Sequence, residues 1–105
     1  MIQIPNLSVI IPTLNRPNDL VLAVKSVIEQ TLLPKELIII DQSSDSKSSL
    51  QINDMFSRIN PKIDLIYLHD VSITSLVAAK NLGVSKASGD IVSFLEDDVV
   101  LESHY

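Results

Sequence analysis

The residues with the plainest capacity for chemistry are three consecutive carboxylates, Glu96-Asp97-Asp98, which follow the apolar run Ile91-Val92-Ser93-Phe94-Leu95. Acids this close together repel one another, so each disfavours ionisation of the next unless a counter-charge is near. A hard divalent cation held through oxygen would supply one. The same residues read equally well as a solvated acidic turn that ends a strand. The apolar run itself reads as a buried strand, and the acids then lie at its C-terminal end.

The elements that must position these acids can be traced from the start of the chain. Leu7-Ser8-Val9-Ile10-Ile11 is short and rich in β-branched residues, and reads as a buried strand closed by Pro12. The turn Pro12-Thr13-Leu14-Asn15-Arg16-Pro17 follows, with Pro17 suited to a first helical turn. Leu20, Val24, Val27 and Ile28 recur at helical spacing and predict a helix over 18–30, which Pro34 keeps from continuing. Leu37-Ile38-Ile39-Ile40 is a second apolar strand that ends at Asp41-Gln42, and Ser43 to Ser46 form a turn and helix cap. Ile52, Met55, Phe56 and Ile59 mark a second helix that Pro61 ends. Residues 63–68 are a third strand, with Asp64 pointing to an edge or an exposed start. Leu76, Ala79, Leu82 and Gly83 fall on a third helix starting near 72–75, with Gly83 allowing close helix–sheet packing. Ala87-Ser88-Gly89-Asp90 turns into the fourth strand.

The order β-α-β-α-β-α-β predicts an α/β fold, a Rossmann-like parallel sheet with right-handed crossovers. All strand C-termini then share one edge, where such sheets bind ligands at the reversal of strand order. Asn15, Arg16, Asp41, Gln42 and the acidic triplet are expected to meet there.

The chain has 105 residues, enough for one small domain, and 46% hydrophobic residues, which fits a folded protein rather than a disordered one. A net charge of −5 argues against nucleic acid as a partner and suits a cation or a cation-bridged anion. Without cysteine there is neither a disulfide framework nor a thiolate metal site. Met1-Ile2-Gln3-Ile4-Pro5 lacks the basic and apolar regions of a signal peptide, and no apolar run approaches the roughly 20 residues of a membrane span. His69 and His104 have no partner at metal-ligand spacing and read as surface histidines.

Several segments, in order, resemble the family 2 glycosyltransferases of GT-A fold. Leu7 to Arg16 looks like the opening of that family. Ser26-Val27-Ile28-Glu29-Gln30-Thr31 is similar to the end of its first helix, and Glu36-Leu37-Ile38-Ile39-Ile40-Asp41 resembles its second strand. Ala79-Lys80-Asn81-Leu82-Gly83, then Ala87-Ser88-Gly89-Asp90 and Phe94-Leu95-Glu96-Asp97-Asp98, resemble the approach to its DxD motif.

The resemblance implies a nucleotide-diphospho-sugar site, with a UDP-sugar as the expected donor. Asp98 matches the DxD acid that holds Mn2+ or Mg2+, and Glu96 stands in for the first aspartate as a second metal candidate. Asp97 matches the middle position, near ribose or sugar. Pro12, Leu14, Asn15 and Arg16 match the loop bordering base and ribose, and Asp41 matches the first acid after the second strand. Gln42 replaces a carboxylate that contacts the base; carrying both donor and acceptor, it predicts a weaker preference for uridine. Lys80 replaces an arginine and keeps its charge without the bidentate fork.

By the same resemblance, residues 1–105 are expected to form a single nucleotide-sugar-binding domain, the N-terminal portion of a longer, inverting catalytic domain. Its general base and its acceptor site, for a glycan, lipid or protein, are expected beyond Tyr105. The implied place of action is cytoplasmic, extending to the inner face of the membrane. An unpaired edge on the fourth strand is expected to favour self-association. Two other readings remain open: a non-catalytic nucleotide-binding module or degenerate transferase, kept alive by Gln42 and Glu96, and a receiver-type signalling domain, disfavoured because no acid pair follows the first strand.

Overall fold

The computed structural model describes residues 2–3 and 6–102, so His104 and most of the Met1–Pro5 start lie outside the described residues. In chain order the elements are β1 (Ile2–Gln3), β2 (Leu7–Thr13), α1 (Pro17–Ile28), β3 (Leu32–Leu33), β4 (Glu36–Asp41), α2 (Lys47–Ile59), β5 (Asp64–His69), α3 (Leu76–Lys86) and β6 (Ile91–Phe94). The main sheet has four strands in the order β5-β4-β2-β6, and every pairing in it is parallel. The fold is α/β with alternating β-α-β units. The short pair β1–β3, also parallel, is an addition that no sequence pattern signalled.

The pleat explains why β2 and β4 are apolar along their length. Val9, Ile11, Leu37 and Ile39 face Leu20, Val24 and Val27 of α1 and Ile52 and Met55 of α2. Ile10, Ile38 and Ile40 face the opposite way, against Ala79 and Leu82 of α3. Strands covered on both faces need no polar alternation. Gly83 lets α3 lie close to the sheet, because a Cβ there would fall 2.6 Å from Ile10 Cγ2.

Two expectations need correction. Pro12 does not close the first strand; it lies inside β2, paired in register with Ile40. Alternate residues of a parallel strand point their backbone groups to alternate neighbours. Ile10 faces β6, since its carbonyl accepts from Leu95 N, whereas Thr13 faces β4, since its carbonyl accepts from Gln42 N. Pro12 therefore faces the β6 side, beyond the last paired residue Phe94, where its missing N–H breaks no ladder. The second correction concerns β6, which is not a buried strand. Its only partner among the described residues is β2, and Ile91 and Phe94 are 59% and 45% exposed.

At the other end of the sheet a buried carboxylate ties three elements together. Glu36, 3% exposed, accepts from Ser8 Oγ at 2.6 Å, Ser88 N at 2.6 Å and Ser88 Oγ at 3.0 Å. Burial works to raise its pKa, but these hydrogen bonds and the Lys35 charge outweigh burial, and the net direction is down. Gly89 N donates to Ser8 Oγ at 2.9 Å, and a Cβ on Gly89 would strike the Asn6 carbonyl. The turn Ala87-Ser88-Gly89-Asp90 is thus a structural clamp that seats β6 on β2.

Candidate functional site

Strand order reverses at β2, with β4 on one side and β6 on the other. The crevice outside their C-terminal ends is where an open parallel sheet binds its ligand. A cleft of about 660 Å³ lies there, within the roughly 300–1,000 Å³ usual for small-molecule sites. Its lining comes from the strand ends and the loops that follow: Pro12, Thr13, Leu14 and Arg16 at the end of β2, Gln42 after β4, Thr74, Leu76 and Lys80 around the start of α3, and Phe94 to Asp98 at the end of β6.

Of the three acids, Asp97 is the anchored one. It is nearly buried, and its Oδ2 accepts from Thr13 Oγ1 at 2.9 Å across the switch point. Arg16 Nη1 lies 3.5 Å from Asp97 Oδ1 and 3.7 Å from Asp98 Oδ2. The Asp98 side chain is 51% exposed, and Glu96 is exposed beside it. Among the described residues no group of three or more His, Cys, Asp or Glu side chains is gathered for a metal. The donor set nevertheless suits Mg2+ or Mn2+ in the presence of a diphosphate. Mg2+, for one, commonly takes only one or two carboxylates and fills its other positions with water and phosphate oxygens.

Two other predicted residues, Asn15 and Asp41, are not among the side chains that line the cleft. Asn15, with φ 53°, links two loops: its N–H donates to Ser43 Oγ at 2.8 Å, and its Oδ1 accepts from Ser44 N at 3.0 Å. Asp41 is fully buried beneath the cleft. Its Oδ1 accepts from Ser43 N at 2.9 Å and its Oδ2 from Tyr67 OH at 2.6 Å. Burial and the Asp41 carboxylate push the Tyr67 phenol far above its ordinary pKa, so Tyr67 stays a donor. Exposed His69 sets a ring nitrogen 2.8 Å from the Ser43 carbonyl oxygen, steadying the same loop.

Gln42 does reach the cleft. Its Nε2 donates to the carbonyls of Ile73 at 3.0 Å and Ser75 at 3.4 Å. With two carbonyls at that end, the network assigns the amide orientation, with Nε2 toward the carbonyls and Oε1 away from them. Lys80 also lines the cleft, its Nζ 5.2 Å from the centre of the Phe94 ring, a cation–π distance. Thr13, Thr74, Leu76 and Phe94 line it too, although no sequence pattern singled them out as site residues. For Thr13 the one available signal was its place at the end of a strand.

The sequence model described as Glycosyl transferase family 2 matches residues 8–105. The GalNAc(5)-diNAcBac-PP-undecaprenol beta-1,3-glucosyltransferase of Campylobacter jejuni is 38% identical over 99 residues, covering 90% of this chain and 30% of that protein. The chain thus spans about a third of the length of such relatives. Among solved structures, the mannosyltransferase PcManGT from Pyrobaculum calidifontis, in complex with GDP-Man and Mn2+, superposes with TM-score 0.75 at 23% identity, over 90% of this chain and 28% of that one. S. aureus TarS 1-349 in complex with UDP-GlcNAc gives TM-score 0.66 at 25% identity, over 89% of this chain and 26% of that one.

Proposed function

Because the chain belongs to glycosyl transferase family 2, we propose that it is the donor-binding part of a metal-dependent, inverting sugar transferase that takes a UDP-sugar. The observation that carries this reading is the cleft at the switch point, where Arg16 faces Asp97 and Asp98 and Lys80 also lines the wall. Asp97 and Asp98, with Glu96 alongside, are the residues that would hold Mn2+ or Mg2+. A cation bound there would act as a Lewis acid, offsetting charge on the diphosphate leaving group.

The chain's own residues do the rest. Thr13 fixes the Asp97 carboxylate. Arg16 and Lys80 bring positive charge to where a diphosphate would lie. Asn15 and Asp41 hold the loops that carry Arg16 and Gln42, and Gln42 offers Oε1 to the base. The acceptor, a glycan, lipid or protein, and the general base belong to the remainder of the domain. The proposed place of action is the cytoplasm, extending to the inner membrane face. A receiver-type domain is disfavoured by topology, since that fold places its third strand beside its first, whereas here β5 lies beside β4.

The test is calorimetric titration of UDP with Mn2+ and, separately, with chelator. Binding is expected to be at least about tenfold tighter with Mn2+, and Asp98→Ala to remove most of that difference, given the loss of one of two carboxylate ligands. Equal affinity of the unaltered protein in both conditions would refute the metal assignment.

The free edge of β6 also has a consequence. Among the described residues β6 pairs with β2 on one side only, and Ile91 and Phe94 are exposed beside its outer edge, an arrangement that invites strand addition. The 105-residue chain is therefore expected to self-associate at high concentration, as read by sedimentation velocity. Aspartate at Ile91 should reduce the association; a strictly monomeric chain at millimolar concentration would refute the contact.

A further inference from the structure

We propose that Arg16 is a resident counter-cation for the acid pair, displaced when a divalent cation enters, so that metal and diphosphate bind cooperatively. The inference rests on reading the cleft as a metal–nucleotide site. One guanidinium nitrogen lies between two carboxylates, 3.5 Å from Asp97 Oδ1 and 3.7 Å from Asp98 Oδ2. Both distances are well beyond the roughly 2.7–2.9 Å of a tight charge-assisted bond, and a single nitrogen is no bidentate fork. The contact is loose, and the Arg16 side chain is 55% exposed. Its backbone is not loose. The preceding residue, Asn15, is fastened to Ser43 and Ser44, and the following residue, Pro17, begins α1. The side chain can therefore swing while the loop stays in place.

A divalent cation needs the carboxylate oxygens that Arg16 now faces. Cation and guanidinium repel each other, so metal entering alone must push Arg16 into solvent and forfeit its pairing. A nucleoside diphosphate changes this balance, because its anionic oxygens bridge to the metal and give the displaced guanidinium a new partner in the same cleft. Metal and diphosphate should then each raise the other's affinity by the same factor, as linkage requires.

The test follows free Mn2+ by electron paramagnetic resonance in titrations of the wild type, Arg16→Gln and Arg16→Lys, without nucleotide and then with saturating UDP. Arg16→Gln is expected to bind Mn2+ alone about two- to fivefold more tightly than wild type, the scale of an exposed ion pair. Arg16→Lys keeps the charge and should stay near wild type. With UDP present, the gain in Arg16→Gln should vanish or reverse. Measurable Mn2+ binding that is equal or weaker in Arg16→Gln would overturn the proposal alone, as would an equal gain with and without UDP. No Mn2+ binding by any of the three proteins, with or without UDP, would overturn both the proposal and the metal-site reading beneath it.

Discussion

Given UDP-sugars, Mn2+ and a broad panel of acceptors, the 105-residue chain by itself is expected to form no glycoside. Transfer with inversion needs a base within hydrogen-bond reach of the acceptor hydroxyl. The cleft offers three carboxylates, and each has other work. Asp97 is held by Thr13 and faces Arg16. Asp97 and Asp98, with Glu96 alongside, are the proposed cation ligands, and a carboxylate on a cation is a poor base because the cation stabilises its ionised form. Lys80 is the fourth titratable candidate, but its ammonium sits over Phe94. His69, the one described histidine, faces the Ser43 carbonyl and does not line the cleft.

One wall of the cleft also presents exposed apolar side chains among the described residues, Leu76 and Phe94 being 56% and 45% exposed. The match to the Campylobacter jejuni glucosyltransferase covers 30% of that protein, so a full-length relative has ample chain to supply the base and cover that wall. A chain extended to that length should transfer where this one does not, with mass spectrometry of the acceptors as the readout. Turnover by the 105-residue chain, lost in Asp98→Ala, would show that the base is already present.

The strands of the sheet could be read because β2 and β4 are buried on both faces, which leaves an unbroken run of isoleucine, leucine and valine. That same signal misleads at β6. Ile91-Val92-Ser93-Phe94 is as apolar as a core strand, yet an apolar run records only that burial is favourable, not that a neighbour covers both sides. Pro12 misleads for a related reason: whether a proline breaks a ladder depends on which way its nitrogen faces, and that depends on where the neighbouring strand ends.

At the site, parallel topology sufficed to bring Arg16, Gln42 and the acids to one rim. Side-chain roles were less legible. Asp41 has the residue type of a ligand, but its partner Tyr67 arrives from an adjacent strand 26 positions away and occupies one of its oxygens. Thr13 and Asp97 are 84 positions apart, and a threonine ending a strand carries no mark of the carboxylate it will hold. Local sequence sets what a group can do; long-range contacts set what remains free for a ligand.

Gln42 shows this most sharply, and it leads to the second large expected effect. As a sequence letter it offers a donor and an acceptor to the base. In the fold its donor end is committed to the Ile73 and Ser75 carbonyls, so only Oε1 remains. An acceptor-only position suits the N3–H of uracil and opposes the N3 lone pair of cytosine. A mispaired polar group costs about 1–3 kcal/mol, a factor of about 5 to 150, so UDP should bind more tightly than CDP by an amount in that range. A neutral amide oxygen is a weaker acceptor than a carboxylate, which places the expectation toward the lower end. Gln42→Leu should bring UDP and CDP together by weakening UDP. Gln42→Glu should also weaken UDP, even though it installs the stronger acceptor. Its second oxygen would face the two carbonyls that now receive N–H bonds, and that repulsion would turn the side chain away or hold it protonated. Calorimetry with UDP, CDP, GDP and dTDP on the three proteins checks the set. Equal affinity for UDP and CDP in the wild type would show that Gln42 does not read the base, a clear preference for GDP would refute the uridine preference, and a gain in UDP affinity in Gln42→Glu would show that the carbonyl clamp does not set its orientation.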